Sequence, residues 1–180
     1  MRVISGSARG RKLKEPSGFD IRPTSDMVKE SVFNIIQFDI EGKRVLDLFA
    51  GTGQLGIEAL SRGAANVIFI DTAPKAVKLI RENLKLCALD DSASVYIRDA
   101  LNYLEGGDVF DLIFLDPPYD SLFAGKALEK IIKFDKLDTN GIIICETKAD
   151  YVMPAVTPPY LLRKEYKYGK VKITLYSRED

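Results

Sequence analysis

The sequence contains no histidine and only two cysteines. Without histidine the chain lacks the side chain that most often acts as a general base near neutral pH. Any catalysis must therefore use carboxylates, Lys, Tyr, Cys or positioning alone. Cys87 and Cys145 each lie in an apolar stretch without CxxC spacing. We expect two reduced core thiols and no metal site.

Long hydrophobic runs are also missing. No apolar stretch approaches the roughly 20 residues that a membrane span needs, and the polar, basic start at Met1-Arg2 does not resemble a secretory signal. With 180 residues, the chain is long enough for one sizeable core and short for two full domains. These features favour a soluble, cytoplasmic protein with one main domain and a small extension.

Net charge is absent as well, because 26 Lys and Arg balance 26 Asp and Glu. The charges are nevertheless unevenly distributed. Residues 2–14 carry five basic side chains and no acid, and residues 163–172 carry five basic side chains against Glu165 alone. Each basic arm is consistent with an ordinary solvated strand or with a surface that contacts phosphates.

From residue 45 onwards, short apolar runs alternate with longer amphipathic stretches. The runs predict strands and the stretches predict helices. The predicted strands are 45–49, 67–70, 95–97, 112–115 and 142–145, and the predicted helices are 55–61, 75–86, 100–104 and 124–134. This order is typical of a mostly parallel, Rossmann-like α/β sheet with helices on both faces. The tail, 160–166 and 171–176, predicts a terminal antiparallel hairpin.

The first 40 residues precede this alternation. Val3-Ile4 and Leu13 bracket a turn-rich segment and predict a basic β-hairpin. Thr24-Ser25-Asp26 offers N-cap residues for an amphipathic helix. We therefore divide the chain into an N-terminal hairpin and helix extension, residues 1–40, and a main domain, residues 41–180.

A glycine-rich segment, Gly51-Thr52-Gly53-Gln54-Leu55-Gly56, joins the first predicted strand of the main domain to the following helix. Its spacing satisfies the dinucleotide fingerprint, with Asp71 about 20 residues further on. Asp47 favours a different ligand, because it lies near the end of the first strand, where a carboxylate beside a pyrophosphate would cost energy. The ammonium and sulfonium groups of S-adenosylmethionine would instead attract it.

Acids follow three successive predicted strands, at Asp47, Asp71 and Asp99. Since the carboxyl ends of the strands line the ligand crevice in an open α/β sheet, we expect these acids to face one cofactor. Asp71 suits ribose hydroxyls in either an NAD or an S-adenosylmethionine enzyme, and Asp99 suits the adenine amino group. The alternative is that Asp47 or Asp99 merely caps the following helix.

The segment Asp116-Pro117-Pro118-Tyr119 directly follows the predicted strand 112–115. Its prolines stiffen the loop and remove backbone donors, which leaves it rich in acceptors. An Asp oxygen and a Pro carbonyl can accept both N–H groups of an exocyclic amine, while Tyr119 stacks on the base. This pattern predicts methyl transfer to an amino group by positioning, with a structural β-turn as the alternative.

Together these residues resemble the RsmD family of small-subunit (16S) ribosomal RNA guanine-N2 methyltransferases. The resemblance lies in Gly10-Arg11, Leu13, Arg22-Pro23-Thr24, Asp26, Val28, Glu30, Phe33-Asn34, residues 47–53, residues 58–64 and residues 116–119. It implies a class I methyltransferase fold of seven strands, the last antiparallel, preceded by a small hairpin that touches RNA. It also implies S-adenosylmethionine as cofactor and guanine in the ribosomal RNA of an assembled or assembling subunit as substrate.

The resemblance also assigns roles by position. Cofactor binding is expected of Asp47, Phe49, Gly51, Gly53, Asp71, Asp99, Ala100 and Thr24. The guanine is expected to be held by Asp116, Pro117, Pro118 and Tyr119, and RNA to be contacted by Arg9, Arg11, Lys12 and Arg22. Gln54 departs from the small residue that the family often has there, and no role is assigned to it.

Three alternatives stay open. An amino-methyltransferase acting on DNA or tRNA would use the same chemistry, although the chain shows no sizeable insertion that could read a DNA sequence. An NAD-dependent oxidoreductase would explain the glycine spacing but not Asp47. A non-catalytic RNA-binding assembly factor would leave the acids and the proline-rich loop unexplained. For the ribosomal RNA methyltransferase we expect a monomer.

Overall fold

The computed structural model describes residues 1–16, 26–118 and 122–179. The helices are α1 (Asp26–Ile35), α2 (Gln54–Ser61), α3 (Pro74–Cys87), α4 (Ala100–Tyr103) and α5 (Phe123–Lys133). The strands are β1 (Arg44–Asp47), β2 (Asn66–Asp71), β3 (Ala93–Ile97), β4 (Phe110–Leu115), β5 (Leu137–Lys148), β6 (Tyr160–Tyr168) and β7 (Val171–Arg178). None of the helices in these ranges is both long enough and apolar enough to cross a membrane.

All seven strands belong to one sheet in the order β3-β2-β1-β4-β5-β7-β6. The first five run parallel to one another. β7 runs antiparallel to β5, and β6 runs antiparallel to β7. The predicted mostly parallel sheet with an antiparallel hairpin at its end is therefore confirmed.

Helices cover both faces of this sheet, as the alternating side chains of β4 show. Leu112 and Phe114 join a core cluster that contains residues of α1, α2 and α3, including Phe33. Ile113 and Leu115 join the cluster on the other face, which contains residues of α4 and α5. The apolar run 112–115 within β4 is what burial on both faces requires.

The strand β5 is longer than its apolar run predicts. It begins at Leu137, which pairs with Phe110, and continues to Lys148, which pairs with Val171. Only its middle is covered on both faces by apolar neighbours, so hydrophobicity marked residues 142–145 alone. The last residues of β5 extend past the end of β4, where Cys145 pairs with Leu115.

The predicted N-terminal hairpin is present and short. Arg2 and Lys12 form an antiparallel bridge. Next to it, the Val3 amide donates to the Arg11 carbonyl at 3.0 Å and the Gly10 amide donates to the Val3 carbonyl at 2.9 Å. The helix predicted to follow is α1, whereas the N-cap residues predicted for it, Thr24 and Ser25, lie outside the described residues.

Both cysteines are free and buried, as predicted. Burial raises the pKa of the Cys87 thiol above its ordinary value. The pKa of Cys145 is also raised, first by burial and then by the negative charge of Asp116. Both thiols therefore stay protonated near neutral pH and behave as small apolar core residues.

Candidate cofactor and base-binding site

The carboxyl ends of the central strands bring the predicted acids to one edge of the sheet. Asp47 lies level with Phe69 of β2 and with Phe114 of β4. Asp71 and Asp116 each come two residues later on those neighbouring strands. They therefore flank the end of β1, and two strand spacings separate them by about 10 Å. We call this side of the sheet the carboxyl edge.

Asp47 is buried at the floor of this edge, with a relative exposure of 2%. Its Oδ2 accepts a hydrogen bond from the Gly56 amide at 3.0 Å. Because the N-cap residue of α2 is Gly53, which has no side chain to offer, Asp47 caps the helix from the preceding strand. Burial raises the pKa of Asp47 to about 7, the charge of Asp71 adds to this rise, and the Gly56 hydrogen bond opposes it.

The glycine loop above Asp47 is fastened by Asp71. Asp71 Oδ2 accepts from the Gly51 amide at 2.8 Å, and Oδ1 accepts from the Ala73 amide at 2.8 Å. Gly53 has a φ of 74°, and a Cβ at this position would lie 2.9 Å from Ile80 Cγ1. The loop thus turns tightly over α3 and presents its backbone to the carboxyl edge. A side chain at position 53 would collide with α3 and prevent this turn.

Asp99 ends the segment after β3 and caps α4. Its side chain accepts a hydrogen bond from the Asn102 amide at 2.9 Å, and the next residue, Ala100, is buried. Helix capping, which the sequence left as an alternative for Asp47 and Asp99, is therefore present at both. It does not exclude ligand binding, since a carboxylate has about four acceptor positions.

The proline-rich loop begins immediately after β4. Asp116 is half-buried, Pro117 is buried and Pro118 is exposed. Leu115 pairs with Cys145, so Asp116, the next residue, follows β4 beside β5. Tyr119, to which base stacking was assigned, lies outside the described residues.

An aromatic contact at this edge was not predicted. The rings of Phe49, after β1, and Phe123, at the start of α5, lie 6.0 Å apart with an interplanar angle of 43°. Phe123 is 38% exposed and its neighbour Leu122 is 67% exposed. Phe49 was expected from the family pattern to face the cofactor, but nothing in the spacing pointed to Phe123, because the contact is made only once α5 folds back.

A second set of unpredicted residues holds the hairpin on the helices. Glu58 of α2 is fully buried and accepts from the amides of Ile4 at 2.8 Å and Ser5 at 3.0 Å. Arg62 Nε donates to the same carboxylate at 2.9 Å. Glu58 and Arg62 belong to the family pattern, so a signal existed, but the sequence did not indicate what they contact.

Further contacts fix the tip and the base of the hairpin. At the tip, the Ala8 amide donates to Ser61 Oγ at 2.9 Å, and a Cβ on Gly6 would lie 1.7 Å from the Ser61 carbonyl oxygen. At the base, the Lys14 amide donates to Asn83 Oδ1 of α3 at 2.8 Å. The hairpin is therefore bound closely to α2 and α3.

Lys29 of α1 completes this junction and is fully buried. Its Nζ donates to the Arg2 carbonyl at 2.6 Å and lies 3.9 Å from a Glu58 carboxylate oxygen. Burial lowers the pKa of Lys29 below its ordinary value, while the negative charge of Glu58 opposes this shift. One buried ion pair thus joins α1, α2 and the hairpin.

The structure does not bring the predicted RNA-binding residues of the hairpin to the carboxyl edge. Arg9, Arg11 and Lys12 are all exposed. The hairpin tip lies against Ser61 at the last residue of α2, and the amide of Gly42, just before β1, donates to the Gly63 carbonyl. That end of α2 is therefore at the opposite, amino edge of the sheet. Arg22 and Thr24 lie outside the described residues.

Comparison with known proteins identifies the family of the chain. Residues 1–177 match the family described as conserved hypothetical protein 95. The Bacillus subtilis protein provisionally named rRNA methyltransferase YlbH is 41% identical over 99% of both chains. Ribosomal RNA small subunit methyltransferase D of Haemophilus influenzae is 36% identical over 98% of this chain and 93% of its own. The chain belongs to this family.

The likeness includes the three-dimensional fold. An Escherichia coli structure provisionally named methyltransferase yhhF has a TM-score of 0.90 and 31% identity, with 99% of this chain and 98% of that chain covered. The predicted family resemblance and the methyltransferase fold are therefore confirmed. The match to residue 177 also extends the family likeness beyond residue 119, the last position at which the sequence resembled the family.

Proposed function

We propose that the chain transfers a methyl group from S-adenosylmethionine to the exocyclic N2 amine of a guanine in small-subunit ribosomal RNA. The observation that carries this proposal is the arrangement of Asp47, Asp71 and Asp116 around the end of β1, in a chain whose relatives are named ribosomal RNA methyltransferases. The choice of guanine follows from the family resemblance. The amine chemistry follows from the loop.

The residues at the carboxyl edge fit S-adenosylmethionine better than a dinucleotide. The carboxylates of Asp47, Asp71 and Asp99 would repel a pyrophosphate but stabilise an ammonium and a sulfonium, and the first of them is buried at the floor of the carboxyl edge. Asp47 would hold the methionine ammonium, Asp71 the ribose hydroxyls and Asp99 the adenine amine. Phe49, Gly51, Ala100 and Thr24 complete the proposed set. When bound, S-adenosylmethionine supplies a strongly activated methyl group.

The loop from Asp116 to Tyr119 performs the remaining work in this proposal. Asp116 and the Pro117 carbonyl accept the two N–H groups of the guanine amine, and Tyr119 stacks on the ring, so that the nitrogen lone pair points at the methyl group. The product amine is cationic and acidic. Asp116 or water takes its proton, so no histidine is required.

The size of the substrate follows from the separation of the RNA-binding residues and the loop. In the proposal, Arg9, Arg11 and Lys12 of the extension 1–40 contact RNA, and Arg22 and Thr24 close the crevice of the catalytic domain 41–180. Because the tip lies at the far end of the eight-residue α2, at least about 12 Å separates it from the carboxyl edge. A single enzyme molecule would then contact RNA beyond the nucleotide in the loop, and in this proposal that RNA belongs to an assembled or assembling ribosomal subunit in the bacterial cytoplasm.

Two measurements test the proposed function. Calorimetry should show binding of S-adenosylhomocysteine and none of NADH; the reverse result would exclude the methyltransferase. Tritiated S-adenosylmethionine with ribosomal particles from cells lacking the protein should label a guanine of the small-subunit RNA. Label found only in DNA or only in tRNA would contradict the substrate assignment, and binding of RNA without any transfer would indicate an assembly factor.

A further inference from the structure

A second set of basic residues lies at the carboxyl edge, on the side of β5, β6 and β7. Lys148 ends β5, Lys167 lies near the end of β6, and Lys170 lies in the turn between β6 and β7. All three side chains are exposed. Lys148 pairs with Val171, which pairs with Tyr168, so its side chain lies on the face of the sheet opposite to that of Lys167. We refer to Lys167 and Lys170 as the β6–β7 surface. The proposed function gives it no role.

Strand register places this surface above the catalytic loop. Cys145 of β5 pairs with Leu115, the last residue of β4, and three residues later Lys148 pairs with Val171. At about 3.3 Å per residue, the surface rises roughly 10 Å beyond the strand end that carries Asp116. The Lys170 carbonyl accepts from the Ala149 amide at 3.0 Å, which fixes the turn to the end of β5. Since β7 is two strands and β6 three strands from β4, the surface lies roughly 10 to 14 Å to the side of Asp116, at the same edge of the sheet.

Two other basic residues of the carboxyl-terminal arm stabilise the hairpin of β6 and β7. Lys172 is buried, donates to the Tyr151 carbonyl at 2.8 Å and pairs with Glu165 at 2.8 Å. Arg163 pairs with Glu179 and donates to Ser177 Oγ at 2.6 Å. These contacts hold β6 and its neighbours together, whereas Lys167 and Lys170 are exposed at the carboxyl edge.

We propose that the β6–β7 surface binds the phosphate backbone of the RNA strand beside the nucleotide whose base enters the loop at Asp116. A base that is turned out into a crevice brings its own backbone across the rim, and lysines bind phosphates as flexible point charges without reading sequence. This inference rests on the proposed function, because it takes RNA as the substrate. It assigns to the carboxyl-terminal arm the contact nearest the reaction.

The test is a double substitution, Lys167→Ala with Lys170→Ala. Fluorescence anisotropy with a labelled fragment of small-subunit ribosomal RNA, measured at several salt concentrations, should show affinity about tenfold weaker at low salt and a salt slope smaller by about 1.5. Affinity for S-adenosylhomocysteine should be unchanged. The matched control, Lys130→Ala with Lys133→Ala, removes the same charge from the last turn of α5, on the face of the sheet opposite to the N-terminal hairpin, and should leave affinity within about twofold.

Different outcomes would contradict the phosphate contact and the proposed methyltransferase function. Restored binding in Lys167→Arg with Lys170→Arg would support a phosphate contact. An alanine variant that folds and keeps the wild-type RNA affinity and salt slope would overturn the proposed phosphate contact. This holds even if its activity on ribosomal particles fell, since that result would indicate that the surface contacts a ribosomal protein. A wild-type protein that neither binds nor methylates ribosomal RNA would instead overturn the proposed function.

Discussion

The two basic arms look alike in sequence and differ in the fold. Each carries five cations within about a dozen residues. The amino-terminal arm is a hairpin whose tip is held at the amino edge by Ser61, and the carboxyl-terminal arm turns at the carboxyl edge, where Lys170 lies beside the end of β5. Strand direction, rather than charge density, therefore decides which arm lies near the reaction.

The largest expected effect comes from replacing Asp116 at the carboxyl edge. Asp116→Ala should lower the rate of methyl transfer by about 1000-fold or more, because the amine loses the acceptor that orients it. Binding of S-adenosylhomocysteine, measured by calorimetry, should stay within about twofold. Asp116→Asn keeps one acceptor oxygen and should retain more activity than the alanine variant. Full activity in Asp116→Ala would remove the loop from the mechanism.

The attachment of the amino-terminal arm gives the next largest effect. Glu58→Gln leaves the buried Lys29 with only the exposed Asp26 as a charge partner and weakens the bonds to Ile4 and Ser5, so the free energy of unfolding should fall by about 3 kcal/mol. Urea denaturation measures this change, and hydrogen exchange at the two amides should show release of the hairpin. The control is Glu82→Gln, which breaks an exposed pair with Lys14 and should cost under about 1 kcal/mol. Equal effects of the two variants would contradict the buried junction.

These contacts also show where sequence reasoning succeeded and failed. Apolar periodicity located every strand and helix of the main domain, because burial on both faces of a parallel sheet leaves a strong pattern. It predicted too short a β5, because the ends of that strand are stabilised by pairing with neighbouring strands rather than by apolar side chains packed on both faces. It did not find the role of Glu58, because that role depends on amides more than 50 positions away along the chain. The contact between Phe49 and Phe123 was missed for the same reason.

The arms should also differ in what their loss does to RNA binding. Replacing Arg9, Arg11 and Lys12 together by Ala removes three exposed cations from the hairpin, so RNA affinity should fall by roughly 30-fold at low salt and the salt slope by about 2. Filter binding over a salt series measures both. Because these residues lie far from Asp116, turnover at saturating RNA should change little. An unchanged slope would make the arm an ordinary solvated hairpin.

The smallest effect concerns the floor of the crevice, which neither arm touches. The pKa of Asp47 is about 7, so the carboxylate that would attract the methionine ammonium is mostly lost at pH 6. Affinity for S-adenosylhomocysteine should therefore be about tenfold lower at pH 6 than at pH 8. Calorimetry at both pH values checks this, and Asp47→Asn should remove the difference. If the wild type binds S-adenosylhomocysteine equally well at pH 6 and pH 8, the Asp47 carboxylate does not contact the methionine ammonium.

Asp47 should also affect the stability of the unliganded protein in the opposite sense. Because the pKa of Asp47 is raised on folding, the unfolded chain loses this proton first as pH increases. The contribution of Asp47 to the free energy of unfolding should therefore decline between about pH 4 and pH 7 and stay constant above that range. Urea denaturation of the wild type and Asp47→Asn across this range separates this contribution from those of other groups.

The central claim is that the acids and the proline-rich loop at the carboxyl edge methylate a guanine of small-subunit ribosomal RNA. Its most direct test is nucleoside analysis by mass spectrometry of that RNA, after particles from cells lacking the protein are incubated with S-adenosylmethionine and either wild type or Asp116→Ala. The account predicts new N2-methylguanosine with the wild type and none above background with the variant. A methylated nucleoside other than N2-methylguanosine, or equal product from both proteins, would contradict it.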